Sequence, residues 1–192
     1  MDGSLRGTPG PRTAAGERHA GDTIRKPVPI ALGETMMKDY PVVVDIDVRW
    51  GDMDALVHVN NIVYFQYFQL ARGAYLQRIG MPPAGPAWHD FGWVIGANCC
   101  RYKAPVTFPD TLAVWTRVGA LSDDRMLMEY RAVSKKLGKA AAEGEALVFA
   151  YDFGAGRKST IRDDVRGAIL ALEGRELPRV PRDAARIRNE GG

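Results

Sequence analysis

One stretch limits what this chain can fold into more than any other. From Ile62 to Ile79 nearly every position is apolar: Ile62, Val63, Tyr64, Phe65, Tyr67, Phe68, Leu70, Ala71, Ala74, Tyr75, Leu76 and Ile79. Only a narrow stripe through Gln66, Gln69 or Gly73, and Gln77 is left for water or a partner. The spacing predicts a helix over 62–79 that is too apolar to lie on a surface and is enclosed by other elements. Its ends are written locally: Asn60 or Asn61 is suited to the N-cap, Gly80 to the position after the C-cap, and Pro82 with Pro83 blocks continuation.

The chain has to supply what encloses that helix. Val42, Val44, Ile46 and Val48 alternate with Val43, Asp45, Asp47 and Arg49, the period of a strand with one buried face. Phe91 to Lys103 reads as a long strand halted by Pro105, and Thr111 to Leu121 as another after the Pro109-Asp110 turn. Ser122-Asp123-Asp124 and Lys136-Leu137-Gly138-Lys139 then turn the chain into two more strands, Arg125 to Lys135 and Ala140 to Phe153. Ile161, Val165, Ala168, Ile169 and Leu172 have helical spacing, so a second, amphipathic helix closes the domain. Strand, buried helix, four antiparallel strands and short helix define an α+β protein in which a sheet curls about one long central helix.

With 192 residues, 46% of them apolar, the chain fills one ordinary core. We expect a leader at 1–38 without stable structure, one domain over 39–173, and a flexible polar tail from 174 to 192. The leader has no apolar core of a secretory signal, and its acidic residues count against a transit peptide. No run approaches a membrane span, and a net charge of +3 is too dispersed to suggest nucleic acid. Three histidines and two cysteines give no metal-ligand spacing, and neither a metal nor a cofactor is expected. Cys99 and Cys100, adjacent on a strand, point to opposite faces and read as buried thiols in a reducing cytoplasm.

The chemistry is concentrated just before the long helix, in Arg49-Trp-Gly-Asp-Met-Asp-Ala-Leu-Val-His-Val-Asn-Asn61. Asp54 and His58 are the candidate catalytic pair; Asn60, Asn61 and Tyr64 are the candidate substrate-binding residues. Unpaired N–H groups at the start of a helix, with the positive end of its dipole, suit a carbonyl oxygen on which charge develops. Asp52 reads as a brace for the loop. Gly154-Ala-Gly-Arg-Lys-Ser-Thr160 lacks the spacing of a nucleotide-binding loop, although Arg157 or Lys158 could meet phosphates as point charges. Trp88, Trp93 and Trp115 read as core or pocket wall, and Met81 to Asp90 as a lid, a pocket wall or a surface crossing.

The run Asp52-Met-Asp-Ala-Leu-Val-His-Val-Asn-Asn-Ile-Val-Tyr64, with Arg101-Tyr-Lys-Ala-Pro-Val106 and Pro109-Asp-Thr-Leu112, resembles the hotdog-fold acyl-CoA thioesterases of the 4-hydroxybenzoyl-CoA thioesterase type. The resemblance covers roughly residues 40 to 172. It implies hydrolysis of an acyl-CoA or acyl carrier protein thioester, with Asp54 as nucleophile or general base. It also implies homodimers joined edge to edge by their sheets, some pairing into tetramers, with the active site at the subunit interface. Plant acyl carrier protein thioesterases carry Asp-x-Asn-x-His; Leu56 stands at the asparagine position here. Hotdog hydratases place the His five positions after the Asp, whereas His58 follows Asp54 by four, which ranks hydration below hydrolysis. A non-catalytic acyl-CoA sensor is the other alternative.

Overall fold

The computed structural model describes residues 39–81, 91–182 and 184. The expected leader at 1–38, Trp88 and His89 in the connection after the long helix, and the far end of the tail lie outside the described residues.

Among the described residues, six strands and two helices follow each other in the order β1 (Val42–Asp47), α1 (Val63–Arg78), β2 (Gly92–Tyr102), β3 (Thr111–Leu121), β4 (Arg125–Ser134), β5 (Lys139–Asp152), β6 (Arg157–Lys158) and α2 (Asp163–Glu173). A single 3₁₀ turn, Trp50–Asp52, interrupts the path from β1 to α1. The sheet is antiparallel throughout, in the order β1-β3-β4-β5-β2, with β6 paired to β5. Strands β3 to β5 form a meander. β2 pairs with β5 and not with its successor β3, because α1 carries the chain from the β1 edge to the opposite edge.

Alternation decides which face of the sheet meets α1. Leu112, Val114, Thr116 and Val118 of β3, with Met126, Met128 and Tyr130 of β4, are buried. Phe68 stacks on Tyr130 with ring centroids 4.8 Å apart. The helix comes close enough that a Cβ at Gly144 would sit 2.4 Å from the Phe68 ring, so only glycine fits at that point of β5.

The helix is shorter than the 62–79 expected, running from Val63 to Arg78. Neither asparagine is its N-cap. Ile62 holds that position, and Asn60 instead turns back on itself, its Oδ1 accepting from the Ile62 N–H at 3.0 Å and its carbonyl from the Val63 N–H. The C-terminus is as expected: Gly80 is left-handed at φ 78°, its N–H meets the Gln77 carbonyl, and the Met81 N–H reaches Leu76, a Schellman closure. Enclosure is incomplete in a single chain. Gln66, Gln69 and Gln77 face outward as expected, but so do Ile62 and Leu70, exposed by 61% and 55%.

Cys99 and Cys100 are free and half-buried, less enclosed than expected. Partial burial still holds the Cys100 thiol up to about 11. Helix α2 is amphipathic, burying Val165 and Ile169. The first residues after it are held on the sheet: the Leu121 N–H donates to the Pro178 carbonyl at 2.8 Å, and Arg179 pairs with Asp123.

Candidate active site before the long helix

Residues 52–60 form a miniature hairpin. Met53 and Val59 pair as an isolated bridge, the Asp54 N–H donates to the His58 carbonyl, and the Asn60 N–H donates to the Asp52 carbonyl. The tip, Ala55 to Val57, closes through the Val57 N–H on the Asp54 carbonyl. Val57 sits at φ 62°, a conformation that costs a β-branched residue on the order of 1–3 kcal/mol. Such strain persists only where the surroundings over-determine the backbone, as this ladder does.

Two anchors fix the hairpin to the frame. Asp52 Oδ2 accepts from the Arg49 N–H at 2.8 Å and from the Tyr67 hydroxyl of α1 at 2.7 Å, so Asp52 braces the loop. Burial and this bond to a carboxylate hold the Tyr67 hydroxyl well above the usual phenol range. The Val59 N–H donates to the Val106 carbonyl, which ties the hairpin to the connection between β2 and β3.

Asp54 and His58 come together. Asp54 Oδ1 accepts from the Leu56 N–H at 2.8 Å, an Asx turn that fixes the carboxylate and leaves Oδ2 without a protein donor among the described residues. His58 Nδ1 lies 3.3 Å from the same Oδ1 but is not aligned for a hydrogen bond. Both side chains are part-exposed, 28% for Asp54 and 37% for His58, so a substrate can reach them.

The other three candidates have separate places. Asn60 shapes the helix start. The Asn61 carbonyl accepts from the Tyr102 hydroxyl at 3.0 Å, joining the helix start to β2. Tyr64 is buried, edge-on to Tyr67 and Tyr102, and burial pushes its hydroxyl up to about 12. Its ring is core, so only its backbone is available to a substrate. Asn60 occupies the amides of Ile62 and Val63, which leaves those of Asn61 and Tyr64 without a partner among the described residues.

None of these residues lines the cavity of about 720 Å³ that opens along β2; Phe65, Cys100, Tyr130 and Gly144 do. Trp50, Leu56, Val57 and Ile62, in the same stretch of chain as Asp54, are instead exposed apolar side chains. Among the described residues, no group of three or more His, Cys, Asp and Glu is placed to hold a metal ion. The segment 154–160 turns the chain into β6, a short strand not expected from the sequence, before the last helix. Arg157 and Lys158 are exposed there, at the end of the sheet opposite Asp54, about 30 Å away along the strands.

Sequence reading passed over Arg72. At 100° per residue it falls beside Phe68, Ile79 and Phe65 on the sheet-facing side of α1, and this spacing was the signal that could have found it. Its guanidinium Nη1 donates to the Tyr130 hydroxyl at 3.2 Å.

Residues 48–169 match the family model of the thioesterase-like superfamily. A thioesterase from Thermus thermophilus, crystallised with coenzyme A and zinc, is 34% identical; the match covers 73% of this chain and all of that one, with a TM-score of 0.64. A Pseudomonas aeruginosa protein assigned as a thioesterase is 31% identical over 68% of this chain and 98% of its own, at a TM-score of 0.61. The DHNA-CoA thioesterase of Staphylococcus aureus, 19% identical over 72% of this chain and 98% of its own, shares the fold at a TM-score of 0.62. The chain therefore belongs to the thioesterase-like superfamily. It is a thioester hydrolase of the hotdog fold.

Proposed function

We propose that Asp54 is the catalytic carboxylate and that the thioester carbonyl is bound at the start of α1. One observation carries this: the Asx turn leaves one oxygen of Asp54 free, in a braced hairpin that runs directly into a helix start with open amides. The free amides of Asn61 and Tyr64 polarise the carbonyl oxygen where negative charge develops. Asp54 either attacks the carbonyl carbon, giving an anhydride that water cleaves, or takes a proton from the attacking water. In both routes coenzyme A leaves as a thiol. His58 orients the water, and Asn60 holds the helix start in shape. Either a coenzyme A or an acyl carrier protein thioester suits this chemistry. The Thermus relative and the superfamily together favour coenzyme A.

The working unit is a homodimer or a homotetramer. Support comes from the exposed Trp50, Leu56 and Val57 in the same stretch of chain as Asp54, from Ile62 and Leu70 on the outer side of α1, and from β2, which has an unpaired edge among the described residues. A second copy completes the enclosure of α1 and makes it a central helix wrapped by sheet. The hydrolytic domain spans 39–173, with the family match inside it. No described helix is long and apolar enough to cross a membrane, and two free thiols fit a cytoplasmic location.

A thiol-release assay with acyl-CoAs of graded length and polarity tests the hydrolysis. Release of coenzyme A by the wild-type chain is the expected result. Hydration of an enoyl-CoA without thiol release, or tight binding without turnover, would replace it with a hydratase or a sensor.

A further inference from the structure

Arg72 is a cation placed where the helix otherwise buries hydrocarbon. It stands between Phe68, Ile79 and Phe65 on the inner side of α1, is half-buried, and has one partner, the Tyr130 hydroxyl. Tyr130 is itself buried and turns its own proton toward Met128 Sδ. No carboxylate lies within ion-pair distance of Arg72 among the described residues. A guanidinium carries five donors in a planar fork matched to a carboxylate, and withdrawing that charge from water is unfavourable unless an anion faces it. One neutral phenol uses a single donor.

The cavity that opens along β2 borders two neighbours of Arg72, Phe65 and Tyr130, although Arg72 itself is not in its lining. Phe65, Tyr130, Cys100 and Gly144 line it, and Gly144 contributes no side chain. Glutamates at 129, 143 and 145 also border the opening but stand on the opposite face of the sheet, since each is one residue from Tyr130 or Gly144. Two of them already have cations, Glu129 with Arg117 and Glu143 with Lys103. The inner face is thus left to Arg72. It lies about 14 Å along the helix from Val63, where the thioester carbonyl is placed.

Resting on the proposed thioester site, we infer that Arg72 receives a carboxylate at the far end of the acyl group. The preferred substrates are then acyl-CoAs of a medium-length dicarboxylic acid, the chain passing Phe65 and Tyr130 and ending on the guanidinium. Charge-assisted, two-pronged hydrogen bonding supplies the selectivity.

The test compares two acyl-CoAs of equal length, one ending in a methyl group and one in a carboxylate, on the full chain. Wild type is expected to give a higher kcat/KM for the carboxylate. In Arg72→Met the carboxylate-to-methyl ratio should fall about 10- to 100-fold, the range of a hydrogen bond to a charged group. Arg72→Lys, which keeps the charge and loses the fork, should fall between them. An unchanged ratio in Arg72→Met would overturn the inference; so would a wild-type preference for the methyl-ended substrate, which needs no variant to fold. Titration calorimetry with the same two thioesters separates this from the hydrolase reading. Carboxylate-selective binding that needs Arg72, without turnover, would remove the hydrolase and keep the site. Turnover with no selectivity would do the reverse.

Discussion

Asp52 and Asp54 are two residues apart and have opposite duties. Asp52 commits one oxygen to both the Arg49 amide and the Tyr67 hydroxyl, which holds the hairpin to α1. Asp54 engages one oxygen locally and leaves the other open. Two substitutions should therefore separate stability from chemistry. Tyr67→Phe removes a hydrogen bond to a charged, part-buried carboxylate and should lower unfolding stability by about 1–3 kcal/mol in urea melts. It should also reduce kcat, because the strained tip at Val57 loses its brace. A Tyr67→Phe protein with wild-type stability and turnover would show that Asp52 is not the anchor described. The bracing role of Asp52 was legible in the sequence, since a loop this short needs one side chain to fold it. Arg72 was written in the sequence just as plainly, but only as a phase on the helical wheel. An arginine is ordinarily assumed to face water, and its burial against Tyr130 depends on a strand 58 residues away.

At the scale of elements, β3 is bulged between Val118 and Ala120, which frees the Val118 amide from the ladder. Glu173, the last residue of α2, supplies the missing acceptor. Its Oε1 takes the Val118 N–H at 2.7 Å and the Tyr75 hydroxyl at 2.8 Å, while Arg175 donates to the Val118 carbonyl. One buried carboxylate thus joins α1, α2 and the sheet. Burial pushes its pKa above the usual 4.5, outweighing the hydrogen bonds and the cations Arg175 and Arg117. The folded state then binds this proton more tightly than the unfolded chain. Its contribution to stability is greatest in acid and declines as the pH rises from about 4.5 through the raised folded value. Urea melts of wild type and Glu173→Gln across that range should show wild type losing ground to the variant as pH rises. A difference that grows in favour of wild type with pH would mean that attraction to Arg175 dominates. The period-two and period-3.6 patterns made both elements readable from the chain. This junction was not readable, because a bulge and its filler are 55 residues apart and leave no periodic trace.

Across the whole molecule, Asp54 and the exposed Lys158 stand at opposite ends of one sheet. Within a chain they cannot share a coenzyme A. If two copies join antiparallel through β2, each Lys158 is carried toward the partner's Asp54 loop. Mixed dimers of Asp54→Asn and Lys158→Ala chains should then contain one site with both defects and one intact site. The expected result is a wild-type KM for acyl-CoA in the mixture, although Lys158→Ala alone raises it. A KM that stays raised on mixing would place Lys158 outside the partner's site. The exposure of Ile62 and Leu70 belongs to the same scale. Their apolar character was evident from the sequence, but their exposure was not, because it depends on which elements the rest of the chain lays beside α1.

Substitution of Asp54 by asparagine is nearly isosteric. The Leu56 N–H can still be accepted, so the hairpin keeps its shape while the charge and the nucleophile are lost. The decisive measurement is single-turnover hydrolysis of a good acyl-CoA by Asp54→Asn, with the affinity for that thioester measured on the same preparation. Catalysis by this carboxylate should appear as a fall of several orders of magnitude in the chemical rate, with binding and melting temperature within error of wild type. Hydrolysis at the wild-type rate would contradict it.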